Sequence, residues 1–322
     1  MFKLGNPQNK IQHVVHIAGT NGKGSTLAFL EALLRNNSLN LKSGRKKLLI
    51  GKYTSPHLIS VRERFLINGH KITENAFNDL WKELSTVEGF EQLSYFEKLT
   101  ALAFKYFTDE QVDVLLLETG LGGRLDATNC VKLPTLCLIS SVGKDHEEYL
   151  GNTLELIAKE KAGILKAQIP YLSSLKGALK QVVSEEAQRK GAIELSLAKY
   201  RLDSLRLGLK GKHQVENAEL ALNAYKYLKP LLFQDSLNNQ ITEEDISLLY
   251  KPINWPGRFQ SVSVNQKKFI LDGAHNVDAA ISLRSVLDMN YKNKSVNWIL
   301  GFQNTKDWKE VLKILLRDGD TV

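Results

Sequence analysis

The sequence predicts an α/β protein: a mostly parallel sheet domain followed by a second, smaller α/β unit. Three observations carry this. Apolar runs of strand length, β-branched or leucine-rich, occur at 12–18, 48–50, 112–118 and 135–142, and helical patterns separate them. Chemically active residues gather just past the end of each run: Gly19 to Thr26, Tyr53 to His57, Glu118 to Asn129, and Asp145-His146. Alternating strands and helices imply a parallel sheet covered on both faces, and ligands of such sheets sit beyond the carboxyl ends of the strands.

The first run leads through Val14 and Val15 into His-Ile-Ala-Gly-Thr-Asn-Gly-Lys-Gly-Ser-Thr (16–26), and the apolar stretch Leu27 to Leu34 follows. This reads as a strand, a glycine-rich turn and a helix start, the arrangement that turns backbone N–H groups and a helix N-terminus onto phosphate, with Lys23 as a mobile cation. Asn21, Gly22, Lys23, Gly24 and Ser25 are its candidate ATP-binding residues. The spacing departs from the usual P-loop. Only Thr20 and Asn21 lie between Gly19 and Gly22-Lys23, and Gly24 stands where a magnesium-binding hydroxyl is expected. Ser25, Thr26 or another segment must supply that ligand.

Further along, Glu118 follows Val-Leu-Leu-Leu and precedes a glycine loop, the placement of a metal ligand. His146, after a strand and beside Asp145, reads as functional. Segment 153–166 reads as a helix with Thr153 as its cap and Gly163 near its end; by pattern alone, Lys161 within it is an ordinary surface lysine. Trp255-Pro256-Gly257-Arg258 breaks the pattern, and a strand at 260–271, a helix at 277–288 and a strand at 295–301 follow. The domain boundary is placed there.

The 322 residues, 43% of them apolar, allow about two domains with a sizeable core. No apolar run is long enough for a membrane span and the N-terminus lacks a signal-peptide core, so a cytoplasmic protein with no membrane partner is expected. Cys130 and Cys137 read as buried thiols. The net charge of +8 is spread along the chain, its densest run being Lys42, Arg45, Lys46 and Lys47 without interleaved aromatics. That argues against nucleic acid and suits polyanionic small molecules.

Eight segments together resemble one family: Ala-Gly-Thr-Asn-Gly-Lys-Gly-Ser-Thr (18–26), Tyr-Thr-Ser-Pro-His-Leu (53–58), Arg-Glu-Arg-Phe-Leu-Ile-Asn-Gly (62–69), Glu-Thr-Gly-Leu-Gly-Gly-Arg-Leu-Asp-Ala-Thr-Asn (118–129), Glu-Lys-Ala-Gly-Ile (160–164), Gly-Lys-His-Gln-Val-Glu-Asn-Ala (211–218), Trp-Pro-Gly-Arg-Phe (255–259) and Asp-Gly-Ala-His-Asn (272–276). Their order is similar to that of the folylpolyglutamate synthase and dihydrofolate synthase group of the Mur ligase superfamily. The resemblance covers residues 12 to about 307. It implies a P-loop-containing ATP-binding central domain (1–255) and a partial, Rossmann-like α/β domain (256–322) that bears on glutamate.

The resemblance implies an ATP-dependent ligase that adds L-glutamate to dihydropteroate, to folate (poly)glutamates, or to both, through an acyl phosphate. It implies two magnesium sites: Ser55 and Glu118 at one, and Glu118, His146 and a carbamylated Lys161 at the other, with Lys23, Lys161 and His146 as the catalytic set. Asn217 is implied at the adenine region, Arg258 and Asp272 at phosphate and ribose, and Leu125, Asp126 and Ala127 at the pterin. A monomer acting on small molecules is expected. Lys144 stands where the family has an apolar residue. Family members also run on for about a hundred residues past the position of Val322; the alternative reading is therefore a truncated, catalytically incompetent nucleotide- or pterin-binding fragment. A ligase of peptidoglycan precursors would carry a substrate domain ahead of the P-loop, and only 18 residues precede Gly19 here.

Overall fold

In the computed structural model the chain is described over residues 1–35, 41–234, 240–292, 294–303 and 306–322. β1 (His13–Ala18) runs into α1 (Lys23–Arg35), then β2 (Ile50–Tyr53), β3 (Phe65–Ile67), β4 (His70–Lys71), α2 (Glu74–Ser85), α3 (Tyr95–Asp109), β5 (Val114–Glu118) and β6 (Leu136–Ile139). α4 (Glu147–Leu150), α5 (Leu154–Ala162), β7 (Pro170–Ser173), α6 (Gly177–Lys190), β8 (Ile193–Glu194), α7 (Gln214–Leu232) and α8 (Glu243–Leu248) complete the larger part. The remainder holds β9 (Gln260–Val264), β10 (Lys267–Leu271), α9 (Val277–Asn290) and α10 (Trp308–Leu315).

Strands β1 to β8 form one sheet in the order β4-β3-β2-β5-β1-β6-β7-β8. Pairing is parallel from β2 through β8, and β3 and β4 extend one edge as an antiparallel hairpin. Alternate residues of β1 face opposite layers: Val15 and Ile17 join the core under α1 and α7, while Val14 packs with α3 and Ala18 with the α5–α6 layer. A two-sided core explains why these strands read as continuous apolar runs. Among the described residues no helix is long and apolar enough to cross a membrane.

The expected strands at 12–18, 112–118 and 135–142 match β1, β5 and β6; the run at 48–50 marks only the approach to β2. Thr153 caps α5, its hydroxyl accepting from Leu156 N at 3.3 Å. Gly163 ends α5 with right-handed geometry, φ −54°. It is glycine because Arg124 is close: a Cβ there would lie 2.3 Å from Arg124 Cα.

Past the Pro-Gly break two expectations are corrected. The strand expected over 260–271 is the antiparallel hairpin β9–β10, turned by Asn265 and Gln266 at φ 48° and 65°, a tight turn of left-handed residues that a strand pattern does not reveal. The strand expected at 295–301 is a single parallel bridge, Asn297 to Thr321. Trp298 N donates to Thr321 O at 2.8 Å and Thr321 N to Val296 O at 3.1 Å, and the Asp320 carboxylate also accepts from Val296 N at 2.7 Å and Trp298 Nε1 at 3.0 Å.

One ion pair is sealed behind the phosphate loop. Lys52 on β2 and Glu31 on α1 are 3% and 6% exposed and bonded to each other, and the Trp255 ring covers the Lys52 ammonium 4.6 Å from its centroid. Removing one member strands the other in a dry site. Glu31→Ala should therefore cost about 3–5 kcal/mol in denaturant unfolding, and Glu31→Leu with Lys52→Met should recover most of it.

Candidate active site

The ends of β1, β2, β5 and β6 open into a cleft of about 450 Å³, closed on its far side by Arg258, Asp272, His275 and the start of α9. The phosphate loop is tied to the chain leaving β6. Thr20 N donates to Ser141 O at 2.7 Å, Gly143 N donates to the Thr20 hydroxyl at 3.0 Å, and the Ser140 hydroxyl donates to Asn21 O at 2.8 Å. Gly22 has φ +82°, and a Cβ on it would meet Asn217 Oδ1 at 2.3 Å. Trp255 packs over Gly24. Lys23 folds back over the loop, its ammonium donating to Gly19 O at 2.9 Å and Thr20 O at 3.3 Å, 3.7 Å from Glu118 Oε1.

Glu118, at the end of β5, is 5% exposed. Burial raises its pKa against the pull of Lys23 and of Ser55 N, which donates to Oε2 at 3.3 Å. Lys161, an ordinary surface lysine by pattern, is 3% exposed. Loop 120–126 wraps α5 to bury it: Arg124 N donates to Glu160 O at 2.8 Å and Arg124 Nε to Glu160 Oε1 at 2.9 Å. Burial first, and then the Lys23 charge, push the Lys161 amine down to about 7. Among the described residues no carboxylate comes within ion-pair distance of it.

His146 caps α4 from left-handed backbone at φ 54°. Burial lowers its pKa, with Asp145 opposing. Asp145 is where the C-terminal unit closes on the sheet: Lys306 Nζ, His275 Nε2 at 3.3 Å and Asn276 Nδ2 at 3.2 Å all reach its carboxylate. Burial disfavours its charge, but those three donors outweigh burial and hold the acid well below the usual range. Asn21 and Asn276 exchange two amide hydrogen bonds of 3.2 Å across the same seam.

Most of the expected site thus converges: Asn21, Gly22, Lys23, Gly24, Ser25, Ser55, Glu118, His146, Lys161, Asn217, Arg258 and Asp272 line the one cleft. Of the two hydroxyls weighed after Lys23, Ser25 lines it; Thr26 Oγ1 is buried elsewhere without a partner. Asn217 lies directly against Gly22. Asp272 spends its oxygens on the backbone, accepting from Phe259 N at 2.8 Å and Ala274 N at 2.9 Å. Leu125, Asp126 and Ala127 sit on the neighbouring loop and do not line the cleft; Leu125 is 80% exposed. Lys144 points outward and pairs with Glu147 at 3.2 Å. Sequence reasoning missed Lys306, and it saw Asn276 and His275 only as parts of a motif, because their role is a contact across more than a hundred residues.

No group of three or more His, Cys, Asp or Glu side chains among the described residues is placed to hold a metal. The donors present are instead one buried carboxylate, the Ser55 and Ser25 hydroxyls and the His146 imidazole around a polar cleft. Such a set fits magnesium, which takes one or two carboxylates and completes its shell with phosphate oxygens and water.

A phosphate loop facing a buried acid, an imidazole and an unpaired buried lysine defines a nucleotide-using enzyme of the α/β class. The family model described as dihydrofolate synthetase, C-terminal domain, matches residues 257–322. The chain is 37% identical to the probable dihydrofolate synthetase of Schizosaccharomyces pombe over 99% of its own length and 78% of that protein's. It is similar to the E. coli FolC structure in complex with DHPP and ADP (31% identity, TM-score 0.80, 98% and 74% covered). It is also similar to a bifunctional folylpolyglutamate synthase/dihydrofolate synthase with Mn, AMPPNP and L-glutamate bound (30%, 0.79, 98% and 75%). The chain belongs to the folylpolyglutamate synthase/dihydrofolate synthase family of ATP-dependent ligases.

Two measurements test this geometry. The unfolded chain holds a proton on Lys161 up to about pH 10.5 while the folded chain releases it near 7, so stability rises with pH between those values. Lys161→Met should flatten that rise in urea titrations of the protein without metal or carbon dioxide. Gly22→Ala, which forces a Cβ onto Asn217 from left-handed backbone, should weaken ADP binding about tenfold by calorimetry.

Proposed function

We propose that this chain joins L-glutamate to dihydropteroate, with ATP consumed to ADP and phosphate. The observation that carries the reading is Lys161, a buried amine with no carboxylate in ion-pair distance among the described residues, lining the same cleft as Lys23 and Glu118. Dihydropteroate is favoured over a folate polyglutamate because both the matched family model and the Schizosaccharomyces pombe relative are described as dihydrofolate synthetases.

In the proposed reaction an oxygen of the dihydropteroate carboxylate attacks the γ-phosphorus and the bond to ADP breaks, giving an acyl phosphate. The glutamate amine then attacks the carbonyl carbon, the C–N bond forms, phosphate leaves, and the amine gives up a proton. Lys23 leaves its loop carbonyls to follow the charge gathering on the transferred group. Ser55 and Glu118 would hold one magnesium, and Glu118, His146 and Lys161 a second. When bound, these ions supply positive charge against the phosphoryl oxygens. An ammonium cannot ligate a cation. The neutral Lys161 amine can add carbon dioxide, forming an N–C bond and losing one proton, to become an oxygen ligand. Asn217 and Arg258 would hold the nucleotide, with Asp272 shaping the loop that presents Arg258. Residues 1–255 form the ATP-binding unit in this reading, 256–322 the unit that closes over it, and Leu125, Asp126 and Ala127 face the pterin.

The test is amide product, detected by mass, with ATP, magnesium, glutamate and dihydropteroate. Glutamylation is expected, and Lys161→Ala should lower turnover at least about a hundredfold while ADP still binds. Wild-type turnover in that variant would sink the carbamate role. A monoglutamyl folate offered as a second acceptor reports whether the chain also extends existing tails.

A further inference from the structure

His16 is the one fully buried histidine among the described residues. It sits in the middle of β1, opposite Leu117 of β5 and Cys137 of β6, on the layer otherwise filled by apolar side chains. Packing does not call for an imidazole there. A leucine would fill the space without burying two ring nitrogens, one of which, Nδ1, has no partner. The other, Nε2, lies 2.8 Å from the Thr128 hydroxyl, which is itself fully buried. That hydroxyl makes a short bond to Asp126 Oδ1, which also accepts from Thr128 N at 3.0 Å, while Oδ2 accepts from Leu121 N at 2.8 Å.

Proton bookkeeping gives the chain a direction. A carboxylate can only accept, so the single hydroxyl proton of Thr128 goes to Asp126, and the Thr128 oxygen must in turn accept from His16. His16 therefore carries its proton on Nε2, which leaves Nδ1 bare, in agreement with the absence of a partner for it. Burial, with Lys166 adding to it, pushes the imidazole down to about 3, so it stays neutral at any working pH. The result is a fixed donor chain, His16 to Thr128 to Asp126, anchored in the strand that carries the phosphate loop three residues on.

We propose that His16 and Thr128 are positioning residues for substrate specificity: they fix the rotamer of Asp126, so that the 121–128 loop presents a rigid acceptor to the amino and N–H edge of a pterin. The proposal rests on the reading of Asp126 as a pterin contact. Its physical content is that a carboxylate clamped by the Leu121 and Thr128 N–H groups, with that of Gly120 beside them, and by one hydroxyl does not have to be ordered when the ligand arrives.

The experiment compares Thr128→Val, which keeps the shape and removes the hydroxyl, with Thr128→Ser, which keeps the hydroxyl. Each is assayed for KM of dihydropteroate, for kcat and for ADP affinity. Thr128→Val is expected to raise the dihydropteroate KM about tenfold or more with ADP affinity unchanged, and Thr128→Ser to stay near wild type. His16→Leu, which buries without orphan nitrogens, should raise the same KM without loss of thermal stability. An unchanged dihydropteroate KM in Thr128→Val overturns the proposal. So does equal loss of ADP and dihydropteroate binding, which marks a merely structural threonine, and so does a serine variant as impaired as the valine one. Absence of any dihydropteroate turnover in the wild-type chain is a different result, and it removes the proposed reaction itself.

Discussion

The register of β1 between its two parallel neighbours is the constraint on which the site depends. Ile17 pairs with Glu118 of β5, and Ala18 with Ile139 of β6, so three chain ends leave the sheet at one level. A slip of one residue would turn every side chain of β1 to the wrong layer. It would also carry the phosphate loop away from Ser140, Ser141 and Gly143, whose hydrogen bonds give that loop its shape. The pairing register of the strand thus locates the chemistry without taking part in it.

Around that level the charges are arranged against burial. Glu118 is held in a site that disfavours its ionised form, and Lys161 in one that disfavours its protonated form. Lys23 faces both, attracting one and repelling the other. Opposed shifts of this kind within a single cleft point to a functional site rather than to a structural ion pair. Lys52 and Glu31 make the contrast nearby: they are equally buried, but paired with each other behind the loop.

The sheet and the phosphate loop were legible because their signals are local: strand-length apolar runs, glycines and a lysine between strand and helix, an acid at a strand end. The motif order made the family legible as well. Lys161 was legible only through the resemblance, since its burial comes from loop 120–126 folding over α5, and no helical periodicity encodes a cover supplied by a distant loop. The β9–β10 hairpin reads as one strand from sequence because Asn265-Gln266 carries no glycine to mark the turn. The single bridge at 297 reads as a strand from sequence because Val296, Trp298 and Leu300 alternate as a strand would, while Asp320 and Thr321, more than twenty residues away, hold Val296 and Trp298.

The seam between the two parts has its own consequence. Asp145 takes Lys306, His275 and Asn276 from two separate stretches of the C-terminal unit, and Asn276 also holds Asn21. Parting the seam removes all three donors from one half-buried acid together, and the cost of letting go of any one is mostly met only when the others go as well. Contacts shared this way favour a seam that is either wholly made or wholly parted. If the proposed reaction runs here, a mixed anhydride formed inside would be kept from water for as long as the seam stays made.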